Sequence, residues 1–156
     1  MVQGLLITLS NAEEFFERST RVLTEADSGF KPTPDMMTSA QQVAHTAQTI
    51  DWFVEGASRP EGFDLDFEKH MTAIAETTSL ASARDWLGKS FATARKWVES
   101  KTDEELMQPL PPGPVMGGAP VMSVISAIQD HSAHHRGALT VYSRVLGKTP
   151  IMPYGE

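Results

Sequence analysis

The 156-residue chain is acidic, with 20 Asp and Glu against 13 Lys and Arg, a net charge of −7, and no cysteine. This length provides one domain with a substantial core, and 40% hydrophobic with 21% charged residues is a composition typical of folded proteins. The charge disfavours nucleic acid and anionic membranes as partners, and the lack of cysteine excludes disulfides, thiolate nucleophiles and Cys-ligated metals.

Helical periodicity dominates the first 60 residues. A first helix is predicted from about Val2 to Asp27, and Ser28-Gly29 and a Pro-containing connector follow it. A second helix is predicted from about Ser39 to Ala57, where Ser39 and Gln42 have the spacing of a capping box.

The remaining segments are also helical or irregular. Residues 60–78 are weakly periodic and indicate a short helix or a packed loop. A third helix is predicted to begin after Ser79 and to end near Lys101, and one further turn is predicted over Asp103 to Met107. Gln108 to Pro120, rich in Pro and Gly, is predicted to be a long loop of a kind that is often functional.

The fourth helix is predicted from about Pro120 to Leu146, with Gly147 as its stop signal and an irregular tail from Lys148 to Glu156. Four amphipathic helices without strand alternation predict an all-α four-helix bundle, one domain spanning residues 1–156. The long connectors are compatible with a crossover between helices.

The fourth helix carries the strongest chemical signal. Its apolar stripe is interrupted by His131 and His135, which lie one turn apart on the same face. Two imidazoles so placed can share one metal ion, although a histidine on an apolar face is more often a hydrogen-bonded core residue. His134 lies about 100° around the helix from His135. It is interpreted either as a residue at the rim of the site, where it is a weak candidate for proton transfer, or as a solvated histidine.

A third ligand has to come from another segment, and His45 and His70 are the other histidines. His45 lies on a stripe with Gln48 and Trp52, which forms either an exposed polar face or the lining of a pocket. His70 lies in the weakly periodic segment and is interpreted as a surface residue, but helical spacing barely separates it from His45 as a ligand.

Two further residues follow the histidine pair. Arg136 is a candidate clamp for an anionic substrate or the partner of an acidic side chain. Gly137 inside a helix suggests a close approach of a neighbouring helix.

The stretch from His131 through Ala138 to Leu139 resembles the HxxHHRGQ-type signature in the last helix of DinB/YfiT-like proteins. The resemblance extends to Tyr142, to the Pro153-Tyr154-Gly155 tail, and to the segment from His45 to Asp51-Trp52-Phe53. Ala138 departs from the family pattern, which commonly has Gln there.

The resemblance implies a bundle in which His45, His131 and His135 hold a divalent metal ion, most often zinc or nickel. It thereby selects His45 over His70, and it places Gln48 and Trp52 near the cavity. Relatives of this kind include thiol-dependent S-transferases, which suggests a low-molecular-weight thiol and an electrophilic small molecule as reactants.

Three functional interpretations remain open at this point. The first is a metal-dependent S-transferase, the second a metal-dependent hydrolase, and the third a non-catalytic stress-response module that mainly dimerises. No Asp or Glu is placed by the sequence as a general base, and His134 is the candidate for that role.

A homodimer is expected because the segment Met1–Leu9 is apolar and because Trp86 and Trp97 lie off the aliphatic stripe of their helix. A cytoplasmic location is expected because no run of about 18 apolar residues is present and the N-terminus lacks the features of a secretory signal.

Overall fold

A computed structural model describes residues 1–155, so Glu156, the last residue of the predicted irregular tail, lies outside the described residues. In chain order the chain forms α1 Val2–Thr20, a 3-10 helix Glu25–Asp27, α2 Ser39–Ser58, α3 Phe67–Glu76, α4 Leu80–Glu99, α5 Asp103–Met107 and α6 Ser123–Val145. Residues 1–155 contain no β-strand beyond one isolated bridge between Pro109 and Pro120. The predicted four-helix bundle is confirmed, with α1, α2, α4 and α6 as its long helices.

Contacts at the helix ends define the topology. The amino terminus lies 3.4 Å from Asp103, at the end of the bundle where α6 begins. Arg84, near the start of α4, donates to Thr20 O at 2.9 Å and to Leu23 O at 3.0 Å, at the end of α1. Tyr142, near the end of α6, donates to Met37 O just before α2. Helices α1 and α6 therefore run one way and α2 and α4 the other, so the segment that contains α3 is a crossover connection.

The core is built from the apolar stripes that the sequence predicts. Its fully buried side chains come from all four long helices and include Leu9, Phe16, Ile50, Phe91, Ile128 and Tyr142. On α6 the stripe continues through Val124, Ile128 and Leu139, and the predicted histidine pair interrupts it. The polar interruption therefore lies inside the bundle rather than on its outer surface.

Several predicted helix ends differ from the structure, and α6 begins at Ser123 rather than near Pro120. The first helix ends at Thr20 and not at Asp27, because the Asp27 carboxylate accepts from the Thr24 amide at 2.6 Å and caps a separate 3-10 helix. The capping box of α2 uses Thr38 and Gln41 rather than Ser39 and Gln42. The shift by one residue frees the Gln42 side chain to point into the bundle interior.

The expected close approach at Gly137 is wrong. A Cβ atom built there has no neighbour within 4 Å, whereas one at Gly56 would lie 2.2 Å from Phe63 Cδ1. Phe63 packs against Trp52 and Phe53, with ring centroids 4.8 and 6.0 Å apart. The glycine that permits close packing is thus the one in α2, beside an aromatic cluster.

The two tryptophans expected at a dimer surface have partners within the chain. Trp86 donates its indole N–H to Asp51 at 2.7 Å, and Trp97 is only 9% exposed. In the N-terminal segment Met1 and Ile7 are exposed. The homodimer stays a prediction, without the support that the tryptophans were expected to give. Within the described residues, no helix combines the length and apolar character needed to cross a membrane.

The two helical glycines yield a matched pair of substitutions. Gly137→Ala should raise the free energy of unfolding by about 1 kcal/mol, because alanine is the better helix former and the site is open. Gly56→Ala should lower it by about 1–3 kcal/mol, because the new methyl group displaces the Phe63 ring. Urea denaturation measures the free energy of unfolding of both variants. A change in the same direction for both would contradict this packing.

Candidate metal centre

Three histidines from two helices meet inside the bundle. His45 comes from α2, and His131 and His135 come from α6. One ring nitrogen of each lies within 4.8 Å of the others, and the Nε2 atoms of His131 and His135 are 3.2 Å apart. Because α2 and α6 are antiparallel, the i, i+4 pair on one helix faces a single residue on the other.

The ligand spacing fits one divalent ion. Two nitrogens that each lie about 2.0–2.1 Å from a tetrahedral ion are separated by roughly 3.3 Å. The observed 3.2 Å between the Nε2 atoms agrees with that separation. In addition, Nδ1 of His45 and Nδ1 of His131 are buried without a hydrogen-bond partner. The donor set and its spacing are therefore those of a site that could hold a metal ion.

A chain of hydrogen bonds orients His135. The Met37 carbonyl can only accept, so the Tyr142 hydroxyl donates to it at 2.9 Å. The Tyr142 oxygen then accepts from Gln42 Nε2 at 3.2 Å, which turns Gln42 Oε1 toward His135 Nδ1, 2.5 Å away. An amide oxygen requires a donor, so Nδ1 carries the hydrogen and Nε2 presents its lone pair to the cluster.

Local spacing does not reveal this arrangement. It predicts Gln42 as half of a helix cap, and it places Tyr142 at the helical spacing of the apolar stripe. The available signal was the position of Gln42 next to Val43, at the edge of the aliphatic face of α2. A glutamine there that does not cap the helix needs a buried hydrogen-bond partner.

The other predicted site residues divide into two groups. Gln48 and Trp52 line a cavity of about 270 Å³ together with His45 and His131. His70, interpreted from the sequence as a surface residue, lines the same cavity and is largely buried.

The remaining two predicted residues lie elsewhere. His134 is exposed and touches His135 edge-on, with ring centroids 4.9 Å apart. The Arg136 guanidinium lies over the rings of Phe15 and Tyr154 and donates to the Tyr154 hydroxyl at 3.0 Å. The structure therefore gives Arg136 a role in holding the C-terminal tail against α1, away from the cavity.

Burial keeps the three imidazoles neutral. It is the largest cause that lowers the pKa of His131 to about 4 and of His135 to about 3, and the neighbouring histidines lower both further. Burial likewise lowers the pKa of His45, with His134 adding to the effect. A neutral imidazole is the form that ligates a metal, so the site is prepared for binding at neutral pH.

The fold and the site together define a four-helix bundle with an internal three-histidine cluster that could hold a metal ion. The DinB superfamily profile matches residues 8–139, and the chain belongs to that superfamily. A conserved protein from Enterococcus faecalis has a similar fold, with a TM-score of 0.71 at 19% identity over 95% of this chain and 98% of its own. No curated protein matches the sequence significantly.

The lowered pKa values predict how stability depends on pH when a chelator keeps the protein free of metal. In the unfolded chain these histidines have a pKa of about 6.5 and become protonated below that pH. In the folded protein His131 and His135 stay neutral until the pH falls to about 4 and about 3, so acid favours the unfolded state. Stability should therefore fall as pH drops through this window.

The control for this prediction is the double variant His131→Ala/His135→Ala. Carboxylates with lowered pKa values, such as Asp27, also reduce stability in acid, but they do so equally in both proteins. Thermal melting between pH 7 and pH 4 should show a shallower decline for the double variant. Parallel declines would mean that the two imidazoles are not buried neutral bases.

Proposed function

We propose that this protein is a divalent-metal-dependent enzyme in which His45, His131 and His135 hold one ion, zinc or nickel. The observation that carries the proposal is the convergence of three imidazole nitrogens within 4.8 Å of one another. Membership of the DinB superfamily supports it. The proposal is also supported by the hydrogen bond from His135 to Gln42, because it directs the lone pair of His135 Nε2 toward the cluster.

The composition of the ligand set favours catalysis over a purely structural role. Structural zinc sites are closed by four protein ligands, whereas three ligands leave a position for water or substrate. A divalent ion in this cluster would lower the pKa of a thiol or a water molecule bound to it. The cavity beside His45 and His131 supplies space for such a molecule. These features support an enzyme rather than a non-catalytic stress-response module.

Thiol transfer is favoured over hydrolysis by the walls of that cavity. Among its lining residues in the described chain, none is a carboxylate that would serve as a general base. A thiol has a free pKa of about 8.5, whereas that of water is about 15.7, so a thiol needs far less assistance to lose its proton. His134, the sequence candidate for this role, does not line that cavity. We therefore infer a thiol-dependent S-transferase with an electrophilic small molecule as second substrate.

Metal binding is the first test of this function. Protein purified without a His-tag should contain about one zinc or nickel ion per chain, as measured by elemental analysis. Replacing any one of the three ligands with alanine should lower the affinity for the ion at least tenfold, or by about 1.4 kcal/mol, as measured by competition with a coloured chelator. The variants are His45→Ala, His131→Ala and His135→Ala. His70→Ala is the matched control and should stay within twofold. The opposite ranking of His45 and His70 would refute this ligand set.

The hydrogen-bonded chain behind His135 gives a second, independent test. Gln42→Leu removes the acceptor for His135 Nδ1 and should lower metal affinity by roughly 10- to 100-fold, the range found for such outer partners. Gln42→Glu keeps an acceptor in the same position and should retain the ion. Isothermal titration with zinc compares the two. Equal affinities in both variants would show that the orientation of His135 contributes nothing.

The reaction itself is tested by thiol consumption. Metal-loaded protein should consume a low-molecular-weight thiol in the presence of an electrophile, and treatment with chelator should abolish this activity. His131→Ala should behave like the chelated protein. Hydrolysis of an ester by the loaded protein, without any thiol requirement, would instead identify a hydrolase.

A further inference from the structure

One face of α6 lies open on the outside of the bundle, opposite the buried stripe that carries the histidine pair. Its exposed residues Asp130, His134, Gly137, Val141 and Arg144 follow one another at alternate steps of four and three. That spacing keeps them in one line along the helix. A Cβ atom built at Gly137, the middle residue, has no neighbour within 4 Å, so the centre of this outer face is free for another helix.

The outer face of α6 differs in composition from a solvated helix surface. On α4 the exposed residues are mostly charged and include Asp85, Lys89, Lys96 and Glu99. On α6 the exposed residues between its single exposed carboxylate and its single exposed guanidinium are Ala, His, Gly and Val. Val141 is 56% exposed, and Val145, one turn further on, is 60% exposed. Small and apolar residues grouped on one exposed face indicate a contact surface.

The two charges of this face lie at equal distances from its centre. Asp130 and Arg144 are each seven residues from Gly137, which is nearly two helical turns and about 10.5 Å along the axis. Neither side chain has an ion-pair partner among residues 1–155. The Arg144 guanidinium donates to the Thr140 carbonyl of its own helix. The face therefore carries opposite charges at its two ends, placed symmetrically about a glycine.

We propose that α6 pairs in antiparallel orientation with α6 of a second copy of this chain, about a twofold axis beside Gly137. This axis places Asp130 opposite Arg144 of the partner subunit, and it does so twice, because a twofold interface uses the same surface of both copies. It also brings Val141 beside His134 of the partner subunit. A parallel pair would instead place like charges together, which is unfavourable.

This pairing is independent of the proposed function, and it uses neither the N-terminal segment nor the tryptophans that suggested a dimer from the sequence. The missing side chain at Gly137 lets the two helix axes approach. A single methyl group is also small enough for such a contact, so Gly137→Ala keeps its expected effect on stability.

Charge reversal tests the pairing on the full chain. At about 200 µM and low salt, light scattering should give twice the chain mass of 17.1 kDa. Asp130→Arg and Arg144→Asp each place like charges opposite one another at both ends of the contact, and each should weaken the dimer at least tenfold. An equal mixture of the two variants restores opposite charges at both ends, so it should form a heterodimer with an affinity close to that of the original dimer.

Matched controls lie on the outer face of α4. Asp85→Arg and Lys89→Asp make the same changes of charge at exposed helix positions, and both proteins should remain dimers. Circular dichroism checks that all four variants keep their helix content. A monomeric original protein at 200 µM, a dimer that survives both reversals on α6, or a mixture that stays monomeric would overturn the pairing.

The metal content separates this inference from the proposed function. Asp130 and Arg144 do not belong to the histidine cluster, so their variants should hold as much zinc or nickel as the original protein. A protein that binds its ion but fails the charge-reversal test would refute the dimer alone. A dimer that passes the test without any bound ion would refute the enzyme alone.

Discussion

The hydrogen bond between Gln42 and His135 sets the register of the two helices that form the site. It is buried, 2.5 Å long, and joins residues 93 positions apart in the chain. Buried polar groups are costly unless they are paired, so only alignments of α2 and α6 that preserve this contact are favourable. Because the helices are antiparallel, moving three residues on from Gln42 reaches His45, and moving four residues back from His135 reaches His131. One polar contact therefore brings the third histidine to the other two.

The same arrangement places polar groups that are costly to bury in the centre of the bundle. Three imidazoles lose their hydration and are held neutral, and ring nitrogens of His45 and His131 lack any partner. A fully apolar set of residues on these faces would pack without that cost. Such local departures from the rules of core packing are characteristic of functional sites, where a ligand supplies the missing interaction.

The open cavity beside the cluster is bounded on one side by α3, a poorly buried part of the crossover. Of the ten residues of α3, Ile74 alone is fully buried, while Phe67 and Met71 remain exposed although they line the cavity. Elements with few buried apolar contacts open at a lower free energy than the core around them. The bundle thus combines a well-packed pair of helices that carry the histidines with a cavity wall that makes few buried apolar contacts.

The sequence by itself determined the four long helices and the orientation of His131 and His135 toward the interior. Both follow from local periodicity, which depends on residues three or four positions apart. It did not decide between His45 and His70, it assigned Gln42 to a helix cap, and it attributed close packing to Gly137 rather than Gly56. These points were decided by the tertiary structure. Which residue of α2 faces which residue of α6, and which glycine lies under an aromatic ring, depends on packing between segments far apart in the chain, and no local pattern encodes that register.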